Sequence, residues 1–107
     1  MPPGIVRNQS YLIINGIRCG PGHYNVNVGD TVEYVMTVVN KISPETVRVR
    51  VVDVKNDRVL YDNYIHMAVN ETRSIRGAFR VSGDMWIEMQ VWVEVSPGYW
   101  RMYDEYG

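Results

Sequence analysis

The chain has 107 residues, 46% of them hydrophobic, and a formal net charge of -1 from 11 Lys and Arg against 12 Asp and Glu. That length sets one domain with one small core, burying roughly 60 to 70 per cent of the surface the unfolded chain exposes. So even a balance supplies no long-range field to draw nucleic acid or an anionic membrane, and the lone Cys19 excludes an intrachain disulfide.

The opening Met1-Pro2-Pro3-Gly4 has neither a basic region nor a long apolar run, and no segment reaches the ~18 apolar residues that span a bilayer. Neither a secretion signal nor membrane insertion is expected. Asn8-Gln9-Ser10 and Asn70-Glu71-Thr72 match the glycosylation sequon and, with no leader, are read as coincidence.

Tyr11 to Ile14 and Ile17 to Cys19 flank Asn15-Gly16, a pair that tolerates the two positive φ angles of a type I′ turn. A two-residue loop pairs Ile14 with Ile17 and Leu12 with Cys19, on a face expected to be buried. Tyr24, Val26 and Val28 alternate with Asn25 and Asn27 before Gly29-Asp30, a turn into the long segment Thr31 to Asn40. Val32, Tyr34, Met36 and Val38 form the inner face of the next strand; Val35 and Val39 on its other side imply partial cover. Ser43-Pro44 ends it, because proline lacks the ladder donor.

Val47, Val49 and Val51 alternate with Arg48 and Arg50, and the slip at Val51-Val52 predicts a bulge or a change of sheet. Asn56-Asp57 reads as a second two-residue turn, placing Val54 opposite Val59 and Val52 opposite Tyr61. Tyr61 to Asn70 has no readable period. Thr72 to Val81 turns Ile75, Gly77, Phe79 and Val81 inward and Ser74, Arg76, Ala78 and Arg80 outward.

Met85 to Val95 has the clearest alternation: every odd position is aliphatic or Met, and the even ones read Trp86, Glu88, Gln90, Trp92, Glu94. If Pro97-Gly98 is the following loop, Glu94 faces Arg101, Trp92 faces Tyr103, Val93 faces Met102 and Val95 faces Trp100. The expected fold is all-β, an antiparallel immunoglobulin-like β-sandwich of about seven strands. It forms a single domain over 1–107, with an N-terminal hairpin at 10–19 and the main sandwich at 24–106.

Little in the chain carries catalytic chemistry. Cys19 and His23 are near enough to meet, but a thiol facing the core is inert, and His66 lies in the unreadable stretch. One Cys and two His show no metal spacing, and Asp53, Asp57 and Asp62 match no calcium loop, so no metal or cofactor is expected. Arg48 and Arg50, with Arg76 and Arg80, make two basic stripes expected on different sheets, facing opposite ways and unsuited to nucleic acid.

What remains is the aromatic side of the final hairpin. Trp86, Trp92, Tyr99, Tyr103 and Arg101, with Arg48 and Arg50 on the neighbouring strand, compose a candidate binding surface of a kind favoured at protein interfaces. Stacking on sugar rings is the alternative. On a wet face, Trp86→Ala and Trp92→Ala should each cost under about 1.5 kcal/mol, against ~3 to 5 for a core tryptophan.

Asn27-Val28-Gly29-Asp30-Thr31-Val32, the alternating strand ending at Asn40, Arg48-Val49-Arg50-Val51-Val52-Asp53, Asn70-Glu71-Thr72-Arg73-Ser74-Ile75 and the closing hairpin together resemble CARDB-type immunoglobulin-like domains of bacterial and archaeal surface proteins. The likeness covers roughly residues 24 to 106. It implies a non-catalytic adhesive or spacer module with no catalytic residues, in an extracellular or virion setting. The start at Met1 and the end just past the last strand fit a small independent protein. The reading is a non-enzymatic structural or protein-binding module, acting through a protein partner or self-association; a carbohydrate-binding module is the alternative.

Overall fold

In the computed structural model, which describes residues 3–41 and 45–107, the period-two segments become two antiparallel sheets. The strands are β1 (Gly4–Ile5), β2 (Tyr11–Ile14), β3 (Ile17–Cys19), β4 (Thr31–Val39), β5 (Glu45–Asp53), β6 (Arg58–Met67), β7 (Thr72–Arg80), β8 (Ile87–Ser96) and β9 (Tyr99–Tyr106). β4 is the spine of the first sheet. β7 lies along one of its edges, β1 and β2 share the other, and β3 lies outside β2. The second sheet has the order β6-β5-β8-β9. This is the all-β antiparallel sandwich expected, built on six strands of eight to ten residues, β4 to β9, with the shorter β1, β2 and β3 added to the first sheet. No helix among the described residues is long and apolar enough to cross a membrane.

The core forms where the alternating valines of the two sheets meet. Tyr34, Met36 and Val38 of β4 pack with Val47, Val49 and Val51 of β5 and Met89 and Val91 of β8, all essentially out of solvent. Burying each such side chain is worth roughly 1.5 to 3 kcal/mol, which is why alternation on the long strands fixes their facing. Between β1 and β2 a 3-10 turn at Arg7–Gln9 lifts the chain off β4. Ser10 repairs the gap: its hydroxyl accepts the Thr37 N–H at 3.0 Å and donates to the Val6 carbonyl at 2.8 Å, while the Thr37 hydroxyl donates to the Gln9 carbonyl at 2.7 Å.

The first hairpin has the expected register, with Leu12 opposite Cys19 and Ile14 opposite Ile17. Its face is buried only in part: Leu12 packs against the core and Ile14 and Cys19 are half-buried. Ile17 is 66% exposed, because β3 is an edge strand that no strand of the second sheet covers. No strand forms at Tyr24 to Val28, and Val28 is exposed. Asn27 N–H is taken by the Asp30 carboxylate at 3.0 Å, while Gly29 N–H and the Asp30 carbonyl bond the backbone of Val81, carrying the segment across the sheet's end instead of along an edge. The Ser43-Pro44 stop lies outside the described residues.

The bulge at Val51/Val52 is present, but the turn after β5 is longer than expected: Val52 pairs with Val59 and Asp53 with Arg58. Asp53 explains the difference. Its carboxylate accepts Lys55 N–H and the Asn56 side chain, a local turn that competes with a tight hairpin.

Ser96 faces Tyr99 across Pro97-Gly98, yet none of the four expected cross-strand matches beyond it forms. Val95 drops out of the ladder, the Glu94 carboxylate accepts the Gly98 N–H at 2.9 Å, and the pairs become Glu94 with Trp100, Val93 with Arg101 and Trp92 with Met102. A second irregularity then drops Tyr103 and restores the original register at Val91–Asp104. The two bulges cancel, and between them Trp100 and Met102 change sides.

The first and last strands are tied directly. Asp104 accepts the Ile5 N–H at 2.8 Å and both Arg7 guanidinium nitrogens at 2.9 and 3.1 Å, linking β1 of the first sheet to β9 of the second. Burial alone would raise the Asp104 pKa, but these donors outweigh it and hold the carboxyl below the usual aspartate range.

Candidate functional site

Residues directly opposite in an antiparallel ladder share a face, so the registers of the second sheet define its outer surface. Arg48 stands between Tyr64 on β6 and Trp92 on β8, and Met102 follows on β9; Arg50 stands between Asp62 and Gln90, followed by Glu105. The bulge at Val95 adds Trp100, whose ring meets Tyr64 edge-on at 5.2 Å between centroids and 62° between planes.

Hydrogen bonding on this surface runs among its own residues, except that the buried Arg50 Nε has no hydrogen-bond partner. Arg48 donates to both oxygens of Asp62, at 2.8 and 2.5 Å, and Arg50 lies 3.7 Å from the same carboxylate. The Arg48 guanidinium lies 5.3 Å from the Tyr64 ring centre and that of Arg50 5.9 Å from the Trp92 ring. The Trp92 indole N–H donates to Gln90 and the Gln90 amide to Glu88, each at 3.0 Å. Donation by Arg48, with help from the charge of Arg50 and against desolvation, holds the Asp62 pKa below its ordinary value. A bond with Glu88 raises that of Glu105.

Of the seven residues proposed from sequence, Arg48, Arg50 and Trp92 come together here. The other four do not. Trp86, 61% exposed, precedes β8 at the far end; Tyr99 flanks the turn; Arg101 lies opposite inward-facing Val93; Tyr103 is the bulged residue on the edge. Sequence reasoning missed Tyr64 and Trp100. Tyr64 lies in the stretch without a period, and Trp100 was assigned to the inner face by the unbulged register. The N-terminal hairpin does not cover this surface, since it belongs to the opposite sheet. Trp86→Ala should still cost under about 1.5 kcal/mol, while half-buried Trp92→Ala should cost nearer 2 kcal/mol by denaturant midpoint.

The remaining candidates are dispersed. Cys19 is half-buried and donates to the Ile17 carbonyl, and His23 is exposed; both line an open cleft of about 720 Å³ at one end of the sandwich, with no hydrogen bond joining them. Asp53 and Asp62 are occupied by the partners given above, and among the described residues no three His, Cys, Asp or Glu side chains converge. Arg76 and Arg80 are on the first sheet, away from Arg48 and Arg50.

The lowered pKa values of Asp62 and Asp104 set a pH dependence. A carboxylate whose pKa is depressed by folding stabilises the native state above its unfolded value, near pH 4, and that contribution is lost as pH falls. Thermal midpoints should be flat above about pH 5 and decline below about pH 4. Asp104→Asn should reduce the decline.

No protein-family model, curated protein or solved structure matches the chain, so its function is to be read from the geometry of this face.

Proposed function

We propose that this chain is a non-enzymatic structural or protein-binding module that engages a protein partner, or a second copy of itself, through the outer face of the β6-β5-β8-β9 sheet. The observation that carries the reading is the arginine–aromatic lattice of Arg48, Arg50, Tyr64, Trp92 and Trp100, held in place by Asp62 and Gln90. Side chains fixed before contact lose little entropy on binding, and Trp, Tyr and Arg are the residues that dominate interface energetics. The 62° tilt between the Tyr64 and Trp100 rings weighs against sugar stacking, which wants aromatic faces presented in one plane. Surface or virion assembly is the setting this reading favours, in keeping with the CARDB-type resemblance.

Sedimentation of the wild type against Trp92→Ala/Arg48→Glu tests it, together with cross-linking in a lysate. The expected result is an oligomer or a partner complex weakened roughly 30-fold or more by the double change, with near-ultraviolet dichroism retained. Saturable polysaccharide binding abolished by Trp92→Ala would overturn it in favour of a carbohydrate module.

A further inference from the structure

We infer that the free edge of β7 is a strand-addition site for an extended acidic segment of a partner protein. Among the described residues β7 pairs with β4 alone, and all nine residues Thr72–Arg80 are in continuous register with Thr31–Val39 without a shift. The backbone groups on its far side therefore form a regular row. In an immunoglobulin-like sandwich whose first sheet has four long strands, a further strand occupies the place beside the one equivalent to β7. Here β6 pairs in the second sheet instead, and the short turn at 68–71 leads straight into β7, so that no strand of the described residues takes that place.

The other outer strands are blunted as natural edges usually are. β6 is broken by the shift at Val51/Val52, β9 has two irregularities, and β3 is three residues long. β7 has no bulge and no proline, and is guarded only by the charge of exposed Arg73, Arg76 and Arg80.

Charge selects the occupant. Ser74, Arg76, Ala78 and Arg80 stand opposite Thr37, Val35, Glu33 and Thr31 and so share the outer face. Among the described residues, Arg7, Arg48, Arg50 and Arg73 have carboxylate partners; Arg76 and Arg80, like Arg18, Arg58 and Arg101, have none, but only Arg76 and Arg80 lie together on one face of an outer strand. Even Glu33, diagonal to both, forms no pair with either. A second copy paired about Arg76, the central residue of β7, is disfavoured: it puts Arg76 beside Arg76, and like charges opposed across a ladder destabilise it. A strand with Asp or Glu at alternate positions meets Arg76 and Arg80 instead, and its intervening apolar residues continue the face of Ile75 and Phe79. Backbone bonds would supply affinity and the two arginines selectivity. This edge and the lattice of Arg48 and Trp92 are on different sheets, so either can fail without the other.

The test titrates the ¹⁵N-labelled full chain with capped peptides of β7 length, one alternating Glu and Val and one alternating Lys and Val, reading amide exchange. The Glu-Val peptide should slow exchange at alternate β7 amides by about tenfold or more, with affinity falling as salt rises. Arg76→Glu/Arg80→Glu, both exposed in the wild type, should weaken that peptide about tenfold and strengthen the Lys-Val peptide. Trp92→Ala should leave peptide binding unchanged. Equal binding of both peptides, protection at β3, β6 or β9 instead of β7, or no protection at saturating peptide would overturn the proposal. So would β7 protection that grows with protein concentration alone, or tighter binding of single-stranded oligothymidylate at the same arginines.

Discussion

Gly77→Ala should cost roughly 3 kcal/mol of stability, among the largest losses for any single methyl group in this fold. Gly77 faces Tyr34 across the β4–β7 ladder, and the tyrosine ring lies over the glycine. A Cβ there would overlap the Tyr34 hydroxyl oxygen and Cζ and stand 2.9 Å from Cε2. A ring on the surface would swing away. This one is 3% exposed and wedged between Phe79 and Tyr61, with centroids at 6.5 and 6.3 Å, so it has nowhere to go without repacking the core. Urea midpoints check the value. The double variant Gly77→Ala/Tyr34→Val should regain part of the loss, because the two positions share one volume; strict additivity would show that the strain lies elsewhere.

Asp53→Ala should cost about 3 kcal/mol for a different reason. The side chain is fully buried at the end of β5, and it accepts Trp86 N–H at 3.0 Å, Lys55 N–H at 3.2 Å and the Asn56 amide at 2.6 Å. Asn56 also donates to the Asp84 carbonyl, so one carboxylate ties the β5–β6 turn to the segment leading into β8. Alanine would leave three donors unmatched. Burial pushes the Asp53 pKa up, the donors more than reverse it, and the net value is lowered, so its contribution too is lost on acidification. Asp53→Asn, which keeps an acceptor but loses the charge, should fall between wild type and alanine. Emission from exposed Trp86 should move toward that of free indole in Asp53→Ala, and an unmoved spectrum would mean the tie does not hold that segment.

Where a strand was long and one side dry, alternation alone assigned it correctly. Val32, Tyr34, Met36 and Val38 could only face inward, since turning the strand over would expose four large side chains. Tyr24, Val26 and Val28 show the same period and form no strand, because alternation reports a dry side and not the presence of an edge to pair with. The aromatic surface was half legible for a related reason. Arg48, Arg50 and Trp92 follow from strand period; Trp100 reaches the surface only through a bulge, and a bulge is set by backbone bonds such as Glu94 to Gly98 that leave no period behind. Tyr64 lies on β6 in unbroken register with Arg48, but polar Asn63 takes an inward position and aromatic Tyr64 an outward one, so no dry side shows in the sequence.

The cancelling irregularities at Val95 and Tyr103 mean that the last hairpin has two ways of zipping with the same ends. Ser96–Tyr99 and Val91–Asp104 are common to the regular ladder and to the bulged one; only the rungs between them differ. A hairpin closed in the regular register would have Trp100 and Met102 pointing into the core and Arg101 and Tyr103 outward. Reaching the native arrangement then requires Trp100 to cross from one side of the strand to the other after the hairpin has formed. For molecules that close in that register the crossing is expected as a tryptophan fluorescence phase following the recovery of β-sheet dichroism, and a single phase common to both signals would show that the bulges form together with the hairpin.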